Sequence, residues 1–157
     1  MITLVQVHAD SALHIHAMQV KAFMPLYAKY RDRQTSPATE DVERVQARIA
    51  DPDSRYFLIR KADVDVGAIR IQCRGGCCRI SPLFVLPEYQ GQGIAQRAMQ
   101  LAEAEYPHIR HWVLETIMQE AGNCHLYEKM GYVRTGDERT IRDNMTLIGY
   151  EKHLEIE

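Results

Sequence analysis

An apolar run, Leu83-Phe84-Val85-Leu86, breaks at Pro87 into Glu88-Tyr89-Gln90-Gly91-Gln92-Gly93-Ile94-Ala95, the pattern of a strand that enters a glycine-rich turn and then opens a helix. That order suits an anion. Gly91 and Gly93 free the backbone to bring several N–H groups round one point, and the following helix adds unpaired first-turn donors and its positive dipole end. No acidic side chain lies between Tyr89 and Ala102, and Gln90, Gln92 and Arg97 each offer donors to a phosphate. The spacing excludes two common phosphate loops. A dinucleotide fingerprint needs Gly or Ala three residues beyond Gly93, where Gln96 stands, and the ATP-type loop needs Gly-Lys followed by Ser or Thr.

A second segment, Asn123-Cys124-His125-Leu126-Tyr127-Glu128-Lys129-Met130-Gly131-Tyr132, also carries chemistry. Asn123 and Tyr127 are four apart, so a helix stacks them on one face, with His125 on another. Gly131 suits the left-handed residue that ends a helix, and Tyr132 then begins a strand. Read alone, this is a capped amphipathic helix with Tyr127 in the core. Read with the glycine turn, it says more. Gln90-x-x-Gly93-x-Ala95 resembles the pyrophosphate motif of the GNAT family of acyl-CoA-dependent N-acyltransferases, and Asn123-x-x-x-Tyr127-Glu128-Lys129-x-Gly131-Tyr132 resembles that family's later helix, in the family's order.

The resemblance implies an α/β (α+β) fold: a mixed, mostly antiparallel central sheet, splayed at a V-shaped cleft between the strand ending at Val85 and a strand over 112–117, with about four helices on its faces. It implies acetyl-CoA as cosubstrate. The pantetheine arm is expected on the main chain of Phe84 and Val85, the pyrophosphate on Gln90, Gly91, Gln92, Gly93, Ile94 and Ala95, and Asn123 beside the arm. The Val85 N–H is then the oxyanion donor. Tyr127 takes the role of proton donor to the leaving thiolate, since a thiol ionises near 8.5 while tyrosine, near 10, stays protonated at neutral pH. The implied reaction is acetyl transfer to a primary amine by direct attack in a ternary complex.

Glu115, on the strand bordering the cleft, is the first candidate for general base through a water, with His111 and His125 as alternatives. Cys124 has no evident activating partner, which disfavours an acyl-cysteine route. Tyr27, Tyr30 and Asp32 follow Pro25 at spacings that could set aromatic rings and a carboxylate round an amine cation, or equally decorate a kinked surface helix. The acceptor stays open among polyamines, amino acids, antibiotic amines and protein amines. A noncatalytic acyl-CoA sensor on the same scaffold is the rival reading, although binding alone does not require a proton donor.

The elements that must position these residues follow from periodicity and punctuation. A strand is expected over Ile2–Val7, then a helix from the Asp10-Ser11 caps to Tyr30, kinked or interrupted at Pro25. A short helix follows over 39–49. Strands are expected over 55–60, 66–73 and 77–86, a helix over 93–105, a strand over 112–117, the helix of Asn123 and Tyr127, and a closing antiparallel pair over 132–138 and 145–153 with a turn at Asp143-Asn144.

The 157 residues and net charge of −2 fit one domain over 1–157. Charge is evenly spread, which argues against a nucleic-acid face or a polybasic membrane patch, and no apolar stretch approaches a membrane span of roughly 20 residues. The start lacks a basic leader with an apolar run, so a cytoplasmic location is the default. Small-molecule or peptide amines are the expected partners, with a homodimer possible. Cys73, Cys77, Cys78 and Cys124 form no paired C-x-x-C units, and no metal is expected. Cys73 and Cys77-Cys78 flank the hairpin sequence Arg74-Gly75-Gly76 and could face each other, but packed reduced thiols are the expectation.

Overall fold

A computed structural model describes residues 1–155. Seven strands form one sheet: β1 (Ile2–Gln6), β2 (Ser54–Lys61), β3 (Val64–Arg74), β4 (Cys77–Val85), β5 (His111–Ile117), β6 (Val133–Arg142) and β7 (Met145–His153). Their order is β1-β2-β3-β4-β5-β7-β6, and among the described residues β4–β5 is the one parallel pair. Four helices accompany them: α1 (Ala12–Tyr30), α2 (Val42–Ala50), α3 (Ile94–Ala104) and α4 (Ala121–Lys129). A parallel neighbour requires a crossover, and α3 supplies it. The mixed, mostly antiparallel α/β architecture is the expected one.

Strand β2 shows why both faces are covered. Its alternate residues Phe57 and Ile59 enter one core with Ala98 and Met99 of α3, while Tyr56 and Leu58 enter the other with Ile15 of α1 and Val45 of α2. A strand buried on both sides reads as a continuous apolar run. Each helix binds by its apolar stripe: Ile94, Ala98, Met99 and Ala102 of α3 are buried. The Asp41 carboxylate caps α2 by accepting from the Arg44 N–H at 3.0 Å.

Two local expectations change. Helix α1 runs through Pro25 without interruption. Pro25 has no N–H to return to the Lys21 carbonyl, and packing of the helix on the sheet outweighs that loss. Asp10 and Ser11 make no side-chain cap; a 3₁₀ turn, Ala9–Ser11, leads into the helix instead. The cysteine expectation changes too. Cys73 and Cys78 are cross-strand partners on β3 and β4 and form a disulfide, while Cys77 and Cys124 are free. Among the described residues, no helix is long and apolar enough to cross a membrane.

The feature that matters for the site is where β4 and β5 part. Only Cys77, Cys78 and Arg79 pair with His111, Trp112 and Val113. Beyond that point β4 continues against β3 and β5 continues against β7, so the sheet opens as a V between 80–85 and 114–117.

Candidate active site

The edge of the cleft is set by ladder parity. Leu86 N–H donates to the Val66 carbonyl at 2.8 Å, and the same register pairs Phe84 with Ala68 and Val85 with Gly67. In an antiparallel ladder the hydrogen-bonded pairs alternate, so Phe84 turns both main-chain groups toward β3 and Val85 turns both toward the opening. The free main-chain edge is therefore that of Val85, while Phe84 lines the same cavity. The Phe84 carbonyl lies where a Cβ on Gly67 would come within 2.1 Å of it, which shows how closely β3 carries β4. The Phe84 ring packs edge-on against Phe23 of α1, 5.7 Å between centroids. The Val85 carbonyl already accepts from the Gln90 side chain at 3.0 Å, leaving the Val85 N–H for the cleft.

The glycine turn then behaves as its sequence suggests. Gly91 and Gly93 have φ of +78° and +77°, the left-handed region where glycine carries no steric penalty. Gly93 is the N-cap of α3 and has no side chain to cap it, so the first-turn N–H groups keep their hydrogen-bonding capacity. Gln90, Gly91, Gly93, Ile94 and Ala95 all line a cavity of about 570 Å³, joined by Gln96. Gln92 does not. Its side chain accepts from Lys61 at 2.7 Å on the outside of the turn. Arg97 is likewise exposed and reaches Gln100.

Helix α4 forms the facing wall. Cys124 is its buried residue, with its thiol directed at the Ile117 and Met118 carbonyls at 3.8 and 3.7 Å. Tyr127 packs edge-on to Tyr132 and tilted against Tyr150, with centroids 6.2 and 6.0 Å away. Burial, and next to it the Cys124 sulfur, push the Tyr127 phenol up to about 12. The start of α4 is tied to the end of α1 through Glu120, which accepts from Tyr30 Oη at 2.5 Å and Lys29 Nζ at 2.8 Å. Partial burial opposes ionisation of Glu120, but Lys29 and Tyr30 hold its carboxyl below the ordinary range. Nothing in the local sequence marks this clamp; it joins residues 90 apart.

A second cavity of about 430 Å³ lies on the other side, lined by Tyr27, Tyr30, Asp32 and Glu115 among others. The structure therefore brings these four candidates together. Their polar groups are differently engaged than expected. Asp32 is buried and accepts from the Gln34 and Thr35 N–H groups and from the Thr35 hydroxyl, so it shapes the turn after α1. Tyr30 holds Glu120, and the Tyr27 ring carries the Arg31 and Arg33 guanidinium groups, each 5.8 Å from its centroid. Glu115 is exposed, with Arg139 at 3.7 Å. Glu40 and Arg48, which also line this cavity, form a two-pronged ion pair at 2.7 Å each, and Gln19 donates to the same carboxylate at 2.9 Å. The alternative bases sit elsewhere: His125 is exposed and lines neither cavity, and His111 is at the far end of β5.

The two cavities share one wall. Phe23, Leu26, Leu83, Asn123 and Tyr127 line both. An electron-poor centre at that wall would be reachable from either side, with the half-buried Tyr127 and the free Val85 main-chain N–H at hand. Backbone donors at a helix start, a free strand edge and an adjoining pocket together fit a molecule that carries a diphosphate at one end and a reactive group at the other.

Comparison with known proteins agrees with that fit. Residues 25–154 match the Acetyltransferase (GNAT) domain family. An IAA acetyltransferase of Azospirillum brasilense is 32% identical over 92 residues, a stretch that spans 56% of this chain and 60% of that relative. The ribosomal-protein-S18-alanine N-acetyltransferase of Escherichia coli superposes with a TM-score of 0.80 at 14% identity, covering 100% of this chain and 96% of that one. The PaiA N-acetyltransferase of Thermoplasma acidophilum, solved in complex with coenzyme A, superposes with a TM-score of 0.68 at 14% identity over 98% and 99% of the two chains. The chain belongs to the GNAT acetyltransferase family.

Proposed function

We propose that the chain transfers an acetyl group from acetyl-CoA to a primary amine by direct attack, with both substrates held at once. The observation that carries this reading is the wall common to the two cavities, on which Tyr127 and Asn123 stand. A sensor needs one pocket. A transferase acting through a ternary complex needs two that meet at the reacting centre.

On this reading Gly91, Gly93, Ile94 and Ala95 cradle the pyrophosphate through main-chain N–H groups. The Gln90 side chain fixes the strand edge by occupying the Val85 carbonyl, and Asn123 steadies the arm. The Val85 N–H faces the acyl oxygen and stabilises the charge that grows on it, the largest contribution in such chemistry. Tyr27 and Tyr30 bound the acceptor, and Asp32 sets the turn that places them. Glu115 accepts the proton of the incoming ammonium through a water.

Tyr127 handles the second proton. A phenol near 12 is a much weaker acid than a thiol near 8.5, so full ionisation in favour of the leaving sulfur is uphill by roughly 5 kcal/mol. Tyr127 therefore donates to the sulfur while receiving the proton that the attacking nitrogen must lose, and the net transfer is from nitrogen to sulfur. A thiol-release assay with acetyl-CoA against a panel of small amines and peptides tests the proposal. Thiol release that depends on one class of amine is the expected result; tight coenzyme A binding with no release for any acceptor would return the chain to the sensor reading.

A further inference from the structure

At the closed end of the V, outside both cavities, three side chains from two strands converge. His111 opens β5 and His153 closes β7, and the two are direct cross-strand partners. Glu151 is two residues before His153, so all three project from one face of the sheet. Their ligand-forming atoms lie within 4.8 Å of one another. The two imidazole rings are stacked, 4.2 Å between centroids and 11° from parallel, and Glu151 Oε1 is 2.6 Å from His153 Nε2. The Nε2 atom of His111 is buried with no hydrogen-bond partner among the described residues, a state that proteins rarely leave uncompensated. The backbone beneath is firm, since the Leu154 N–H donates to the Arg110 carbonyl at 2.7 Å just past the pair.

We propose that His111, Glu151 and His153 bind a zinc-class divalent ion. Two imidazole nitrogens and one carboxylate oxygen suit zinc, nickel or copper, whereas calcium and magnesium require a shell of oxygens that this corner does not offer. Bonds of about 2.0–2.2 Å put ligand atoms roughly 3.4 Å apart in a tetrahedral site. His153 is exposed and Glu151 half-buried, so neither side chain is locked by packing at its present spacing. Three protein ligands leave one position to water, and the ion would clamp β5 to β7 where β4 and β5 still pair. Cysteine spacing carries no metal pattern in this chain. The site arises from strand register, which joins residues 42 positions apart in sequence.

Titration calorimetry and thermal unfolding of the untagged, chelator-stripped chain with zinc sulfate test it. One equivalent of zinc per chain and a raised unfolding temperature are expected, with no response to magnesium or calcium. His153→Ala and His111→Ala should each abolish the equivalent, and Glu151→Gln should weaken it at least about tenfold. Cys77→Ser, which alters the free thiol paired in register with His111, should leave zinc binding unchanged. Coenzyme A binding, unchanged in all four variants, serves as the check that they fold. The proposal is overturned if the unaltered chain takes up no zinc, if both histidine variants keep the equivalent, or if only Cys77→Ser loses it, which would place the ion on the thiol.

Discussion

The two cavities that meet at Tyr127 are built from different materials. The cavity proposed for the cofactor is made of main chain: left-handed Gly91 and Gly93, the uncapped start of α3, and the Val85 edge freed by ladder parity. The cavity proposed for the acceptor is made of side chains tied to one another, with Glu40 held by Arg48 and Gln19, Asp32 by its own turn, and Tyr30 by Glu120. Main-chain recognition fixes a ligand shared across many proteins. Side-chain recognition lets the second pocket differ from one relative to the next without disturbing the first.

The sharpest way to break this contrast is at the shared wall. Tyr127→Phe should lower turnover by about 10² to 10⁴, the range for loss of a positioned proton donor, while calorimetric binding of coenzyme A stays within about twofold. Equal loss of both would mean that Tyr127 holds the cofactor rather than acting between the pockets. Glu40→Gln probes the acceptor side alone. It leaves Arg48 largely buried beside an uncharged partner and should lower stability in urea by on the order of 3 kcal/mol, with coenzyme A affinity retained in the folded protein.

Gly67→Ala should give the opposite pattern. Its new methyl would meet the Phe84 carbonyl at 2.1 Å, so β4 must shift, at about 1–3 kcal/mol of stability and with weaker coenzyme A binding because Val85 moves with it. Gly93→Ala adds a side chain at φ +77° and should cost about 1–2 kcal/mol, read as an earlier urea midpoint. If Glu40→Gln weakened coenzyme A as much as Gly67→Ala does, the two regions would not be separable.

The same contrast explains what was legible in the chain. The turn, the α3 start and the Asn123–Tyr127 face are local patterns, written within thirteen residues and ten residues of sequence, and each is found where its spacing placed it. The mixed sheet followed from element order, and its splay from the resemblance carried by the two motifs. The direction of the Phe84 main chain and the reach of the Gln92 side chain were not legible, because they depend on pairing with β3 and Lys61, which periodicity does not encode. The Glu120 clamp and the Glu40–Arg48 pair depend on tertiary approach, whereas the hairpin that faces Cys73 to Cys78 was local and only the oxidised state of the pair was not legible. Asp32 carried the right type for binding a cation, yet its neighbours Gln34 and Thr35 engage it first.

The smallest expected effect lies in pH. Burial raises Tyr127 to about 12, so its protonated, donating form persists well above neutrality and kcat should show no fall between pH 8 and 10 that Tyr127→Phe removes. Stability follows with a definite sign. A tyrosine whose folded value lies above the unfolded value, near 10, keeps its proton in the folded state after the unfolded chain has lost it. Its stabilising contribution is complete below about pH 10 and declines as pH rises from about 10 to 12. Tyr150, raised to about 12 by burial and then by the Glu128 carboxylate, adds to the same window, and burial raises Tyr132 and Tyr56 as well. Of these four rings, Tyr127 packs edge-on to Tyr132 and tilted against Tyr150, whereas Tyr56 lies beneath α2 where Arg48 and Arg70 oppose the rise. Urea midpoints at pH 8, 9, 10 and 11 should be level to pH 9 and fall beyond it, with a shallower fall in Tyr127→Phe; midpoints that stay level through pH 11 would show that these phenols titrate alike in the folded and unfolded chains.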